Sequence, residues 1–455
     1  MDVGHRGWLR HPSLYATFGI VEALFYVRVV LSRVTTIAFR GIEAVPVMVE
    51  VQIAPGTPAF TIVGLGDKAV AESRERVRAA LLATGLSLPP RRLTVNLAPA
   101  DLPKSGSHYD LPIALGVLAA MGVVAPELVE RHVVLGELGL DGRIAPVSGV
   151  LPAAVGASAL GYGLICPADD GSEAAWASGN MPIIAPHSLV GLVNHFAGQQ
   201  VLARPEPHMH PRGSQRSNFS DVRGQETAKR AMEIAAAGGH NLLMIGPPGA
   251  GKSMLAQRMP TILPQLEPAT LLESAMIRSI SGDLSGGALD ATAPFRAPHH
   301  SASMAALVGG GPKARPGEVS LSHGGVLFLD ELPEFAPQVL DALREPLETH
   351  QAMISRANHR VCYPARFQLV AAMNPCRCGY ADTPGYTCKR GSNCAADYQS
   401  RLSGPFLDRI DLTIRVGAVS PTDLKAPAGE PSETVALRVE EARDRQRARC
   451  GRETT

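Results

Sequence analysis

The run with the clearest chemical meaning is Gly246-Pro247-Pro248-Gly249-Ala250-Gly251-Lys252-Ser253, followed by Met254. It stands between an apolar stretch, Leu242 to Ile245, and a helix-forming segment. Glycines let a backbone close around phosphate oxygens, and a helix beginning at the end of such a loop turns its free N–H groups toward them. Lys252 is spaced to reach the terminal phosphates and Ser253 to ligate Mg2+. The order strand, loop, helix therefore predicts a P-loop for ATP and Mg2+, with Gly246 through Met254 as its nucleotide-binding stretch.

About 70 residues on, the apolar run Val326 to Leu329 ends in Asp330-Glu331, as a buried strand presenting acids at its carboxyl edge would. Asp330 is expected to hold Mg2+ and Glu331 to polarise the attacking water, since phosphoryl transfer needs positioning and charge stabilisation. A third strand, FQLVAAMN, ends in Asn374, placed to contact the water or the terminal phosphate. Arg409, in RLSGPFLDRIDL, lies between a helix and a strand, too far in fold order to serve its own loop. It suits an arginine finger offered to a neighbouring subunit.

Three further clusters carry chemistry. Cys376, Cys378, Cys388 and Cys394 follow a C-x-C-x9-C-x5-C spacing, which supports a thiolate Zn2+ site without matching the standard C-x2-C pair; reduced thiols lining a loop are the alternative. HQAMISRANHRVCYP predicts a hairpin turning near Ala357-Asn358, whose Arg356 and Arg360 could meet phosphates of DNA or sit as a solvated tip. The Gly-rich stretch from about Ser279 to Ser322 reads as an irregular insertion carrying Arg296, His299, His300, Lys313 and Arg315, for structural or DNA contacts. Its paired histidines lack a glutamate at helical spacing that would complete a zincin-type site.

The elements that must position these groups are of mixed α/β type. Residues 1–33 read as a leader of uncertain role, and residues 34–202 alternate strand and helix patterns, among them a helix from Asp67 to Leu82 and another from Leu111 to Met121. Residues 203–217 are polar and Pro-rich, predicting a linker, and 218–455 form the nucleotide-binding domain. With 43 basic against 42 acidic residues, the formal charge of +1 creates no global field for nucleic acid or membrane, so such binding must come from local patches. The apolar stretch near the start contains Glu22, Arg28 and Arg33 and predicts no transmembrane helix and no membrane partner. Seven cysteines at this length argue for a reducing cytoplasm over a disulfide scaffold.

From about Val34 to Arg449 the sequence resembles the Mg-chelatase-like AAA+ ATPases of the ComM/YifB family, on FTIVGLGDKAVAESRERVRAAL, TVNLAPADLPKSGSHYDLPIALG, GELGLDGRIAPVSGVLPA, FRAPHHSAS, GGVLFLDELPEF and SGPFLDRIDL. The resemblance implies a Lon-proteolytic-domain-like α/β fold followed by a P-loop AAA+ domain, assembled as a homo-oligomer, a hexameric ring that translocates on DNA, with ComM linked to branch migration in natural transformation. It also implies that the first domain is not a peptidase. His108 occupies the place of the Lon nucleophilic serine in Pro103-Lys104-Ser105-Gly106-Ser107-His108, and Leu151-Pro152 that of the partner lysine. An AAA+ module would continue into a helical lid, largely missing here, with only SETVALRVEEARDRQRARC leading into it. Two other expectations follow: a chelatase-type ATPase remodelling a protein partner, or a nucleotide-binding form that does not hydrolyse.

Overall fold

The computed structural model describes residues 30–209, 217–311, 314–355, 360–381, 393–425 and 427–450. A seven-stranded sheet opens the fold. Its strands are β1 (Val30–Arg40), β2 (Glu43–Ala54), β3 (Ala59–Val63), β4 (Arg92–Ala98), β5 (His132–Val134), β6 (Gly163–Ile165) and β7 (Ile183–Ile184), in the order β3-β4-β2-β1-β5-β6-β7. β1 and β2 form an antiparallel hairpin registered from Val30↔Ile53 to Arg40↔Glu43. The first strand thus begins four residues before the expected leader ends, because the alternation of β2 extends far enough to pair Val30 to Arg33.

Period-two alternation buries Val47, Val49, Val51 and Ile53 of β2 on one face. Against the sheet lie α1 (Lys68–Ala83), capped by the Asp67 carboxylate on the Val70 N–H, and α2 (Asp110–Ala120). Every residue of α2 is buried, which fits its apolar circumference and requires its one acid, Asp110, to be satisfied. Arg76 donates to both Asp110 oxygens, at 2.5 and 3.0 Å, and the Leu138 N–H adds a third contact. At the stretch of Lon-like pattern, Ser107 Oγ donates to Glu137, buried Lys104 donates to the Pro99 carbonyl, and His108 Nε2 lies 3.0 Å from the Ile37 carbonyl.

The second sheet has five strands, all paired in parallel: β8 (Leu242–Ile245), β9 (Phe295–Arg296), β10 (Val326–Leu329), β13 (Gln368–Met373) and β14 (Leu412–Arg415), in the order β9-β10-β13-β8-β14. Between β10 and β13 the chain forms an antiparallel hairpin, β11 (Gln351–Ser355) and β12 (Arg360–Pro364). Separate apolar clusters cover the two faces of the sheet, as a parallel sheet needs. Among the helices of this unit are α4 (Glu226–Gly238), α5 (Lys252–Ile262), α6 (Pro268–Ser281), α7 (Cys394–Gln399) and α8 (Ser432–Cys450), following α3 (Val150–Ala159) of the first. The charged α8 is docked: Val435 and Val439 are buried against the core, and Arg443 donates to the Ala236 carbonyl. No helix among the described residues is long and apolar enough to cross a membrane.

Two expectations are corrected here. Phe295-Arg296, read as insertion, is the edge strand of the sheet; two residues are too few to show a period. The expected linker is not wholly without pairing, since His208–Met209 forms a parallel bridge with Ala288–Leu289.

The two units share an interface. Leu151 of α3 is buried with Ala275 of α6 and Leu289, and Trp176 and Leu272 pack on them. Glu173 accepts from the Leu151 N–H at 2.8 Å and from Ser279 Oγ at 2.5 Å, joining the units by a buried carboxyl. Burial raises the Glu173 pKa, against the hydrogen bonds from Ser279 and Leu151; nearby Asp170, bonded to the Val147 N–H, is pushed by burial up to about 7. An acid raised in the folded state binds more protons folded than unfolded. Stability is therefore fully present below the unfolded value near ~4 and is lost as pH rises through the folded value. Denaturant midpoints are expected to fall as pH rises from about 4 to about 7, and Asp170→Asn, which keeps the acceptor for Val147, is expected to flatten that fall.

Candidate nucleotide site

Along the chain, β8 comes first yet lies between the fourth and fifth strands of its sheet, so the connections around it leave to opposite sides. Such a reversal opens a crevice at the carboxyl edge of a parallel sheet. The loop Gly246 to Gly251 occupies it. At Gly246 a Cβ would come within 2.1 Å of the Val416 carbonyl, so a larger residue would push the loop off β14. Gly251 caps α5 from a left-handed conformation (φ +87°), which starts the helix at Lys252 with its amide end toward the loop. Pro248, Gly249 and Met254 are exposed on the outer side, whereas Ala250 is buried.

Lys252 is buried, at 8% exposure. Its Nζ donates to the carbonyls of Gly246 (2.7 Å) and Pro247 (3.0 Å) and to Asn374 Oδ1 (3.1 Å), which matches three acceptors to three ammonium protons. Burial lowers its pKa, opposed by the charges of Asp330 and Glu331. Ser253 Oγ donates to Asp330 Oδ2 at 2.6 Å, bringing a hydroxyl and a carboxylate from two different elements together. Hard oxygen donors in this number suit Mg2+, which is bound through one or two protein oxygens plus phosphate and water.

Glu331 follows Asp330 in a left-handed conformation (φ +52°), which a non-glycine residue adopts at a cost of about 1 kcal/mol or more. The strained backbone lifts its exposed carboxylate away from the strand, where His300 Nδ1 lies 3.5 Å from Oε2. His300 is itself held between the His299 ring and the edge of Phe335. Sequence reasoning assigned His300 to structural or DNA contacts; its place beside Glu331 follows from β9 running next to β10. Gln225 was missed altogether. Its side chain donates to the carbonyls of Ala250 (3.3 Å) and Gly417 (2.7 Å), bracing the loop from behind, and no local pattern marks it.

Arg409 lies at the other edge. It precedes β14, its carbonyl accepts from Asn241 just before β8, and its guanidinium donates to Glu348. Four strand residues put it on the order of 13 Å from its own loop. It lines a cleft of about 600 Å3 with Glu348, His350, Arg366 and Arg443.

Near the loop, Cys376, Cys378 and Cys394 gather, with their sulfurs within 4.8 Å of one another; Cys388 lies outside the described residues. Burial works to raise the Cys376 thiol, but hydrogen bonds from Cys378 and from the backbone of Tyr380, Cys378 and Ala381 outweigh it and bring it down to about 7. Arg360 is exposed at the start of β12, while Arg356 and Lys313 lie outside the described residues. Arg296 is committed to Glu318 through two bonds of 2.6 and 2.9 Å.

The Ser253–Asp330 pair makes a checkable statement. Fluorescent-nucleotide titrations are expected to show affinity dropping about tenfold, ~1.4 kcal/mol, when Mg2+ is withdrawn with EDTA. Asp330→Asn should abolish most of that difference; an undiminished Mg2+ dependence would remove Asp330 from the metal site.

Two family models match: magnesium chelatase, subunit ChlI, over residues 218–424, and subunit ChlI of Mg-chelatase over residues 49–170. YifB of Escherichia coli (strain K12) is 46% identical over 91% of this chain and 82% of its own length. The competence protein ComM of Haemophilus influenzae is 44% identical over 93% and 84%, respectively. Lon protease 2 of Bacillus subtilis is 27% identical over 31% of the chain and 27% of its own length, in keeping with a Lon-like first region. With this identity over nearly its whole length, the chain belongs to the Mg-chelatase-like AAA+ ATPases of the ComM/YifB family.

Proposed function

We propose that the chain is a cytoplasmic, ring-forming ATPase motor that acts on DNA. The observation that carries the reading is the separation of its charged groups. Lys252, Ser253, Asp330, Glu331 and Asn374 meet at the carboxyl edge of the second sheet, whereas Arg409 stands at the amino edge. A complete site then takes two copies, and closure of that heterologous contact gives a ring.

In such a site Lys252 would exchange the loop carbonyls for the terminal phosphates, and Ser253 and Asp330 would hold Mg2+, whose charge would offset that of the phosphates. Glu331 orients the attacking water, with His300 restraining its carboxylate. Asn374 fixes the water or the terminal phosphate from the side of β13, and Arg409 of the adjoining copy adds positive charge as the bond to the leaving group breaks.

DNA as the partner is supported by kinship to a protein named for competence and by the hairpin of β11 and β12, on which Arg360 is exposed at the start of β12. The hairpin packs on both units through its inner face: Ile354, Val361 and Tyr363 bury against Ile42 of the first unit and Ile280 of α6. A second reading, a chelatase-type ATPase that remodels a protein partner, is favoured by the family model over residues 218–424.

Steady-state ATP hydrolysis with and without single-stranded and forked DNA separates the two. DNA stimulation that disappears in Glu331→Gln is the expected result; turnover indifferent to DNA but dependent on metal-insertion partners would favour the chelatase reading. Arg409→Ala is expected to cut turnover about a thousandfold with little change in nucleotide affinity. Mixing it with Lys252→Ala should restore part of the rate through mixed interfaces, and full activity of Arg409→Ala alone would sink the two-copy site.

A further inference from the structure

We propose that Cys376, Cys378 and Cys394 bind one Zn2+ and that this metal fastens the turn after β13 against the phosphate-binding loop. Three side chains from two elements converge: Cys376 and Cys378 lie in the turn that follows Asn374-Pro375, and Cys394 opens α7. Cys376 and Cys394 are buried and Cys378 is half-buried. Soft thiolates select Zn2+, and at a Zn–S length near 2.3 Å a tetrahedral site sets its sulfurs about 3.8 Å apart. The three sulfurs fall within 4.8 Å of one another, so the ligands bracket that spacing. The pair Cys376 and Cys378, at 2.9 Å, opens by about 1 Å to accept the ion.

The second observation is the outer support of the site. The turn is closed on itself by the Gly379 N–H, which donates to the Cys376 carbonyl at 2.9 Å. Gln399, at the far end of α7, donates to the Pro375 carbonyl at 3.0 Å, so the helix is already latched to the turn.

The consequence for the nucleotide loop comes from Gly379. Its backbone runs left-handed (φ +89°) so close to Pro248 that a Cβ there would sit 2.7 Å from the proline Cδ. The turn thus lies directly on the phosphate loop. A metal that rigidifies it limits how far Pro248 can retreat and holds Asn374, two residues before Cys376, in reach of Lys252. On binding, each coordinating thiol gives its proton to solvent, and no electron changes hands.

The metal assignment stands apart from the motor reading, since metal content is read without turnover; only its effect on ATP rests on the nucleotide site. Elemental analysis of the purified full chain under reducing conditions is expected to find about one zinc per chain. Cys376→Ser and Cys394→Ser should each lose it, and Cys362→Ser, on the exposed face of β12, should keep it. Cobalt added to the metal-stripped wild-type chain should produce a thiolate-to-metal charge-transfer band, which reads the site even where a variant fails to fold. Stripping should also weaken binding of a fluorescent ATP analogue several-fold, reversed by zinc. A wild-type chain that carries no zinc and gives no cobalt band, a disulfide mapped between Cys376 and Cys378 in the cytoplasmic form, or zinc retained in Cys394→Ser would overturn the assignment. Zinc bound with no change in nucleotide affinity would overturn the fastening role.

Discussion

A buried ammonium is the constraint around which the second unit is arranged. An unpaired charge in a low-dielectric interior costs several kcal/mol, so Lys252 can be buried only where three acceptors converge on it. Two of them are loop carbonyls, which requires the loop to fold back over the lysine; the third is Asn374, which requires β13 to end beside β8. The sheet order, the close approach of Gly246 to Val416 and the left-handed start of α5 all follow from meeting that demand at one point. The same geometry is ready for phosphate, because the acceptors are neutral oxygens that an anionic phosphate oxygen can displace.

The acids opposite Lys252 show how one strand supplies two different roles. Asp330, immediately after β10, turns to Ser253, so it faces the loop. Glu331, one residue on, is turned by its left-handed backbone toward His300 and solvent. Two adjacent carboxylates in regular extended backbone would point to opposite faces. The strained residue instead keeps both on the side of the crevice, and the strain is held by a sheet buried on both faces.

The first unit is held to the second by apolar contact and by Glu173, a carboxyl buried between them. In its Lon-like stretch Lys104 and His108 are buried and bonded to backbone carbonyls, and Ser107 is bonded to Glu137. The first unit contacts both α6 and the inner face of the β11–β12 hairpin.

The residues themselves determined the phosphate loop, the acid-bearing strand Val326–Leu329, the strand leading to Asn374 and the helices near Lys68 and Asp110, because each is a local pattern of four or more residues with its own period or its own glycines. Family kinship was legible in the same way, through uninterrupted motifs. Tertiary structure alone decided what stands next to what. It set the two-residue strand Phe295–Arg296 at the sheet edge and so brought His300 to Glu331, seated Gln225 behind the loop, closed three cysteines from separate elements into one cluster, and turned a highly charged terminal helix onto the core. Those placements depend on strand order and on contacts between residues far apart in the chain, and a periodicity of two or 3.6 residues carries no record of either.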